Sequence, residues 1–421
     1  WRETGNFVTF HAKATVLATG GVGKAFKITS NSWEYTGDGH SLAYWAGADL
    51  IDMECVQFHP TGMVWPPSVR GILVTEGVRG DGGTLKNSDG ERFMFRYITP
   101  YFAAETADTE AEADRWYDDK KNNRRTPDLL PRDEVARAIN SEVKAGRGSP
   151  HGGVFLDIAS RRTPEYIRRR LPSMYHQFKQ LADVDITAIP MEVGPTMHYI
   201  MGGIRVDADT AASTVPGLYA AGECAGGMHG ANRLGGNSLS DLLVFGRRAG
   251  LAAAEYAKGA STPALDQAQV DEYVATMLGH FDLEGAENPY SVQRDLQDTM
   301  HNLVGIIRNE SELTEAIEKV GSYRERATRT GVEGHRQYNP GWHLAMDLKS
   351  MLTVSEAIAK GAYTRKESRG GHTRDDYPDP EKDWGTVNVV IRQGSDGEMQ
   401  VSTEPLPVMP AELQTLFEEA H

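Results

Sequence analysis

The chain has few of the residues that build disulfide scaffolds, metal clusters or nucleic-acid surfaces. Its 421 residues include two cysteines, Cys55 and Cys224, which exclude a disulfide framework and a four-cysteine metal site. Its 59 Asp and Glu exceed its 44 Lys and Arg, and no basic run appears, so nucleic acid is not expected as the main partner. No apolar run reaches the ~18 residues of a membrane span, so a membrane link is expected only through a partner.

Three catalytic signatures are also missing from the sequence. No Gly-x-Ser-x-Gly elbow supports a serine hydrolase. The histidines lack the spacing of metal ligands and no cysteine or carboxylate joins them, so no metal site is predicted. The glycines at 20, 21 and 23 do not supply the usual Gly-x-Gly-x-x-Gly opening of a dinucleotide fold.

Glycine, by contrast, is abundant, at 44 of 421 residues, and it clusters after apolar segments. Residues 6–11 predict a hairpin strand, residues 14–19 a buried strand that ends in a glycine turn, and residues 215–223 a second such unit. A helix is expected from about Asn237 to Lys258, and its packed side is predicted to contain Leu239, Leu242, Leu243, Gly246, Ala249, Gly250 and Ala253.

These glycine units favour a dinucleotide site. A carboxylate such as Glu223, at the end of a parallel strand, can accept hydrogen bonds from ribose or ribityl hydroxyls. The free N–H groups of a helix that begins at Asn237 and Ser238 suit an electron-rich group such as the N1/C2=O edge of a flavin. Each signal is weak alone, because a tight turn after a buried strand explains it equally well.

A second group of polar residues lies near expected strand ends and glycines. His59, Thr75, His198 and Arg233 could together hold a small dianion. For either histidine alone, a structural role in the core is the more frequent alternative.

The remaining segments differ in character. Residues 104–127 predict a solvated, charged helix and loop, and a helix begins at Arg132, with Val135, Ile139 and Val143 on one face. Residues 262–362 predict a three-helix bundle, and residues 386–391 a strand.

Several motifs of this chain resemble the flavoprotein subunit of succinate dehydrogenase/fumarate reductase, the catalytic subunit of respiratory complex II. They are QFHPTG at 57–62, ILVTEGVRG at 72–80, PRD at 131–133, HYIMGG at 198–203, HGANRLGGNSL at 229–239, ESRGGH at 367–372 and DW at 383–384. The resemblance extends over essentially the whole chain, and the block at 229–239 is highly specific.

The resemblance implies a role for individual residues. Substrate carboxylates would be bound by His59, Thr75, His198 and Arg233, while Arg132 would exchange a proton with the substrate, connected to solvent by Glu76 and Arg79. Arginine is an unusual base because its free pKa exceeds ~12, and the residues alone would have nominated Glu76 or a histidine. The implied flavin contacts are Ala18, Thr19, Gly20, Gly21, Asp38, Glu223, Asn237, Ser238 and Leu239.

The resemblance also implies the architecture. We expect an α/β fold with a split, Rossmann-like FAD-binding domain at residues 1–57 and 195–260 and an inserted α+β capping domain at 58–194. A helical bundle at 261–365 and a C-terminal segment at 366–421 would follow.

The implied activity is oxidation of succinate to fumarate with FAD, as part of electron transport and the tricarboxylic acid cycle. Electrons would pass through an iron–sulfur subunit, whose clusters this cysteine-poor chain cannot hold, to quinone. Membrane anchor subunits would place the chain on the cytoplasmic face of a bacterial inner membrane, or on the matrix face in mitochondria. Alternatives are fumarate reduction, L-aspartate oxidase and, from a different class, a non-catalytic flavin-binding scaffold.

Two departures from the family accompany these expectations. The chain opens at Trp1 without the N-terminal glycine-rich unit and without the histidine to which this family often attaches FAD, so both are expected to precede residue 1. Residues 63–71 (MVWPPSVRG) are longer than the link expected between two substrate-binding motifs. They could shape a lid, contact a partner or have no function.

Overall fold

The computed structural model describes residues 1–283 and 286–418, so residues 284 and 285 of the predicted bundle and 419–421 of the predicted C-terminal segment lie outside the described residues. The fold is mixed α/β, as predicted. Its strands are β1 Thr15–Leu17, β2 Leu50–Ile51, β3 Val56–Met63, β4 Thr84–Lys86, β5 Val154–Asp157, β6 Met191–Ile200, β7 Gly203–Ile204, β8 Leu218–Ala220, β9 Val387–Gln393 and β10 Met399–Pro405.

The helices alternate with these strands in the first half of the chain and dominate the second. They are α1 Asp38–Trp45, α2 Gly77–Gly80, α3 Glu110–Trp116, α4 Arg132–Lys144, α5 Pro164–Arg170, α6 Pro172–Ala182, α7 Asn237–Gly259, α8 Gln267–Gly279, α9 Pro289–Leu303, α10 Glu310–Ala327, α11 Pro340–Thr364 and α12 Ala411–Glu418. None of the helices in these described residues combines the length and apolarity needed to cross a bilayer.

The two predicted strand-and-glycine units pair with each other. β1 and β8 are parallel, with Leu17 opposite Ala220, and both strands end at glycine-containing turns on the same side. α7 follows from Asn237, as predicted, and packs on β8 through Ala249 and Ala253. This arrangement brings the ATGG turn, the AAGE strand end and the N-terminus of α7 together.

Two predictions about this region are wrong. Residues 6–11 form no strand, and Phe10 is 87% exposed, because no neighbouring segment offers them a backbone ladder in the described structure. Leu239, Leu242 and Leu243, predicted on the packed side of α7, are exposed, whereas Ala249 and Ala253, predicted on the same side, are buried. The leucines lie near the start of α7, and the helix packs on β8 further along, at the two alanines.

A four-stranded antiparallel sheet, in the order β3-β6-β5-β4, carries the central motifs. β3 and β6 are the longest pair, and their register shifts twice, once between Gln57 and Phe58 and once between His59 and Gly62. The first shift leaves His198 without a residue opposite it, because Gln57 pairs with Tyr199 and Phe58 pairs with Met197. Such bulges redirect side chains and are common next to active sites.

Two large hydrophobic cores lie at the two ends of this β3–β6 pair. The first contains Val56 and Phe58 of β3, with α1, α9, α10 and α11, whereas the second contains Met63 of β3 and Val193 of β6, with α4, α5 and α6. β3 and β6 therefore run from one core into the other. The domain limits given above remain predictions.

The C-terminal half packs on the first core. α9, α10 and α11 contact one another as the predicted three-helix bundle, but α8 is an additional helix with no buried residue. The predicted strand at 386–391 is confirmed as β9, which pairs with β10 and β2 in the sheet β10-β9-β2-β7. The tail therefore completes a sheet of the first core.

Candidate active site

Two histidines from adjacent strands face each other at the junction of the two cores. His59 lies within β3 and His198 within β6, not at strand ends as the sequence suggested, and their ring centroids are 5.4 Å apart. His198 is held by Ser30, whose hydroxyl lies 2.8 Å from Nδ1, and by Asn31, whose amide donates to the His198 carbonyl at 2.9 Å. Because the bulge leaves His198 without a residue opposite it on β3, the contacts with Ser30 and Asn31 fix the orientation of its ring.

Both imidazoles are neutral at neutral pH. Burial, aided by Arg132 and Arg79, holds the pKa of His59 well below its usual range. Burial and the nearby Arg233 and Arg132 lower the pKa of His198 to about 4. The site therefore receives its positive charge from arginines, and the histidines act as hydrogen-bonding groups.

Arg132, Glu76 and Arg79 form a chain of charges beside the histidines. Arg132 is the first residue of α4, and its Nε lies 3.4 Å from Glu76 Oε2. The same oxygen lies 3.8 Å from Nη2 of Arg79 on α2. Arg79 is fully buried and donates to the Asp128 carbonyl at 2.5 Å, whereas the Glu76 side chain is 41% exposed. Glu76 is therefore the most exposed of the three residues, since the Arg132 side chain is only 19% exposed.

Arg233 is fixed by neighbours that the sequence did not single out individually. Its Nη2 donates to Gln57 Oε1 at 3.0 Å, and its guanidinium lies 4.4 Å from the centroid of the Tyr199 ring. Burial and the repulsion of Arg132 lower the pKa of Arg233, while burial and nearby carboxylates raise the pKa of Tyr199. The geometry is that of a buried cation–π contact.

The three arginines keep several buried N–H groups without acceptors. Arg132 Nη1, Arg79 Nε and Nη2, and Arg233 Nε have no hydrogen-bond partner among the described residues. A buried donor without a partner costs about 1–3 kcal/mol, and a charged donor costs more. Because Glu76 is the one carboxylate that pairs with this group within the described ranges, the arginines fit an anionic ligand with several oxygen acceptors.

A cavity of about 360 Å³ adjoins His198 and Arg233. Its walls come from the ATGG turn, the 30–35 loop, β6, the AAGE strand end and α7. Of the predicted residues it includes Ala18, Gly20, Glu223, Ser238, His198 and Arg233. Four of the predicted flavin contacts and two of the predicted carboxylate ligands therefore line one cavity.

Glu223 lies across the glycine turn of β1. A Cβ on Gly21 would lie 2.2 Å from Glu223 Oε1, so only glycine leaves space for the carboxylate there. Glu223 accepts a hydrogen bond from the Ile200 N–H at 3.1 Å, and burial raises its pKa to about 7. A polyhydroxyl chain in the cavity would supply the further donors that this carboxyl lacks.

Other predicted residues lie apart from this cavity. Thr75 is exposed, and its hydroxyl accepts from the Gly77 N–H at 3.3 Å. No regular strand precedes it, although residues 72–74 lie along β3. Leu73 forms a bridge with Gly62, the Ile72 carbonyl accepts from the Met63 N–H at 2.8 Å, and the Val74 N–H donates to the Thr61 carbonyl at 2.9 Å. Asp38 begins α1 and accepts from Thr36 at 2.9 Å. Thr19 packs on Gly39, and Asn237 and Leu239 are exposed on α7.

Comparison with known proteins shows the family of this chain. The family model of the FAD binding domain matches residues 2–239, and the model described as fumarate reductase flavoprotein C-term matches residues 293–416. The succinate dehydrogenase flavoprotein subunit of Coxiella burnetii is 36% identical over 422 residues, covering 97% of this chain and 67% of the relative. The chain belongs to the succinate dehydrogenase/fumarate reductase flavoprotein subunit family.

Two further relatives are a fumarate reductase subunit and a solved Sdh1 structure. The fumarate reductase (CoM/CoB) subunit of Methanothermobacter marburgensis is 41% identical over 379 residues, covering 90% of this chain and 63% of the relative. Mycobacterium smegmatis Sdh1, solved in complex with UQ1, is 57% identical with a TM-score of 0.85, covering 100% of this chain and 66% of that one. The chain thus spans about two thirds of the length of these relatives.

The cavity residues fit the FAD of this flavoprotein family on two observations. The turn at Gly20 and Gly21 brings backbone against Glu223 with no room for a Cβ, and Ser238, in the first turn of α7, lines the same cavity. The helix N-terminus there suits a carbonyl or ring nitrogen that gains negative charge. Gln57, Ser30, Asn31 and Asp133 were missed as site residues; the QFHPTG and PRD motifs contained Gln57 and Asp133, but nothing in the sequence distinguished Ser30 or Asn31.

Proposed function

We propose that this chain is the catalytic flavoprotein subunit of a succinate dehydrogenase that oxidises succinate to fumarate. The observation that carries the proposal is the group of buried guanidinium N–H donors without partners among the described residues, on Arg132, Arg79 and Arg233, next to two neutral histidines and the cavity containing Glu223. A dicarboxylate supplies the negative charge and acceptors that this group lacks.

In this proposal the chain's own residues bind and orient the substrate. Arg233 and His198 border the cavity and would hold one carboxylate, while His59 would hold the other together with Thr75, after Thr75 turns inward from its exposed position. FAD, when bound, would supply the hydride-accepting chemistry. Fixing the dicarboxylate between charges in a buried site supplies orientation and excludes water.

In succinate oxidation one carbon loses a hydride and the neighbouring carbon loses a proton. Arg132 would release a guanidinium proton to Glu76 and accept the proton from that neighbouring carbon in its place. The contact of 3.4 Å between Arg132 Nε and Glu76 Oε2 supports this transfer. Because Glu76 is exposed, we propose that it exchanges protons with solvent directly. Arg79, which is fully buried, would then keep Glu76 ionised and in place.

The test is succinate-dependent reduction of a dye by the purified complex, with malonate as competitor. Arg132→Lys should lower kcat by at least about 100-fold, because lysine cannot reproduce both the fork geometry and the contact with Glu76. Lys319→Met, a change at an exposed lysine on α10, is the control and should leave kcat unchanged. Near-normal turnover of Arg132→Lys with flavin still bound would contradict the assigned role.

Two alternatives are separated by substrate and direction. Fumarate reductase is the name of the Methanothermobacter marburgensis relative, so reduction of fumarate by the same site is the first alternative. Activity with L-aspartate and formation of peroxide, without succinate turnover, would instead support an L-aspartate oxidase. A flavin-binding scaffold without catalysis would show none of these activities.

We propose the remaining assignments with the same function. Electrons would leave through an iron–sulfur subunit to quinone, and anchor subunits would hold the complex on the cytoplasmic face of a bacterial inner membrane or on the mitochondrial matrix face. The proposed domains are those predicted above. The electron path is tested by purifying this chain together with an iron–sulfur subunit. Removal of that subunit should abolish quinone reduction.

A further inference from the structure

A hydrogen-bonded bridge joins the two sides of the proposed active site. Asp133 follows Arg132 on α4, and its Oδ1 accepts from the Asn232 side-chain amide at 3.0 Å. Asn232 Oδ1 accepts from Gln57 Nε2 at 2.8 Å, and Gln57 Nε2 also donates to the Arg233 carbonyl at 2.7 Å. Gln57 Oε1 accepts from Arg233 Nη2 at 3.0 Å, so the bridge ends on the guanidinium itself.

The bridge joins a helix that packs in both cores to a strand of the first core. α4 places Val135 and Ile139 in the second core and Ala136 in the first, whereas Gln57 lies on β3 between Val56 and Phe58 of the first core. Asn232 is in the glycine-rich loop that follows β8. Besides Asp133 and Gln57, the tail also contacts this loop, since the Gly371 N–H donates to the Ala231 carbonyl at 2.8 Å.

Each amide in the bridge is used at both of its ends. Asn232 donates to Asp133 and accepts from Gln57, and Gln57 donates to the loop and accepts from Arg233. This polarity fixes the orientation of both amides, and an interruption at Asn232 leaves buried groups unpaired. A second contact joins the same pieces, because a Cβ on Gly235 would lie 3.0 Å from Arg132 Nη2.

We propose that Asp133, Asn232 and Gln57 are positioning residues that couple the placement of Arg132 to that of Arg233. When the two cores are closed on each other, the bridge orients Arg233 for a carboxylate of the substrate. It also positions the start of α4, so that Arg132 lies beside the substrate carbon that exchanges the proton. The inference rests on the proposed function. It adds that dicarboxylate binding and proton transfer share one hydrogen-bonded frame.

The test exchanges the polarity of the bridge in the purified holoenzyme, with the rate of succinate-dependent dye reduction normalised to bound flavin. Asn232→Asp places two carboxylates at the 3.0 Å contact and should lower kcat/KM by about 10–100-fold, through both kcat and KM. The double variant Asp133→Asn with Asn232→Asp restores a donor and an acceptor, and still accepts from Gln57. It should return kcat/KM to within about threefold of the parent.

A pH profile separates this role from a general loss of structure. In Asn232→Asp, a proton shared by the two carboxylates repairs the contact, so the defect should shrink as the pH falls from 8 to 6. The other charged groups near Asp133 are Arg132, Glu134 and Arg137, with Arg137 Nη1 3.4 Å from Asp133 Oδ2, and they are unchanged in both variants. Asn302→Asp, at an exposed residue of α9, is the matched control and should behave as the parent.

The outcomes are distinct. An inactive parent would refute the proposed function, whereas an active parent with an unaffected Asn232→Asp variant, or a double variant without recovery, would refute the bridge. If Asn232→Asp does not retain flavin, Asn232→Ala takes its place. This variant should lose about tenfold in kcat/KM without relief at low pH, and an unchanged value would overturn the inference.

Discussion

The buried carboxyl group of Glu223 should make the free energy of unfolding of the flavin-free protein depend on pH. Its pKa is raised to about 7 by burial between the glycine turn of β1 and β6. One N–H donor, from Ile200 at 3.1 Å, partly offsets that burial. The flavin-free protein should therefore hold Glu223 protonated at a pH where the unfolded chain has released the proton.

The sign and size of the effect follow from linkage. The folded-state pKa lies above the ordinary value of 4.5 for a glutamate, so the folded protein binds the proton more tightly. The contribution of Glu223 is fully favourable below about pH 4.5 and is lost as the pH rises through about 7. The loss amounts to about 3 kcal/mol when complete. Glu223→Gln, which keeps the acceptor for Ile200 but cannot ionise, should remove this dependence.

Urea unfolding of flavin-free parent and variant at pH 5 and pH 8 measures the difference. From pH 5 to pH 8, the free energy of unfolding of the variant should rise by up to about 3 kcal/mol relative to that of the parent. The variant should also bind FAD about tenfold more weakly. Comparison with the parent cancels Asp347, whose pKa burial and Asp38 also raise to about 7. Glu255→Gln, at an exposed site on α7, should show no such gain. Parallel curves for parent and Glu223→Gln would refute the assignment of a buried, protonated Glu223.

Two glycines give further predictions. Gly235→Ala should lower kcat by about tenfold with Tm changed by less than about 2 °C, because its Cβ, 3.0 Å from Arg132 Nη2, displaces only the end of that side chain. An unchanged kcat would place Arg132 elsewhere. Gly37→Ala should lose about 2 kcal/mol more in urea unfolding than Gly47→Ala. Both have positive φ, but only the Cβ at Gly37 meets Val354, at 2.7 Å. Equal losses of unfolding free energy in the two variants would show that the contact with Val354 does not destabilise the Gly37→Ala protein.

Local signals in the sequence predicted the elements that carry the site. The acidic first turn and the apolar spacing after Arg132 predicted the start of α4, and the glycine turns predicted the ends of β1 and β8. These features depend on residues close in sequence, where periodicity and turn chemistry apply. The family motifs then indicated which polar residues belong together.

Features that depend on distant partners were not predictable in the same way. The bulge at His198 arises from the register between β3 and β6, and no residue type in either strand marks it. The exposed leucines of α7 contradicted the apolar pattern, because the helix packs on β8 through Ala249 and Ala253, which lie further along the chain. The contacts of Gln57 and Ser30 with their partners span more than a hundred residues of sequence.

The register shifts of β3 and β6 have a mechanical consequence. These two strands are shared by both cores, so any opening of one core away from the other must bend a hydrogen-bonded ribbon. A ribbon bends most easily where its ladder is already interrupted, and here the interruptions lie at His59 and His198. The flexing point and the proposed carboxylate ligands therefore coincide, so release of product and opening of the cleft would be a single movement.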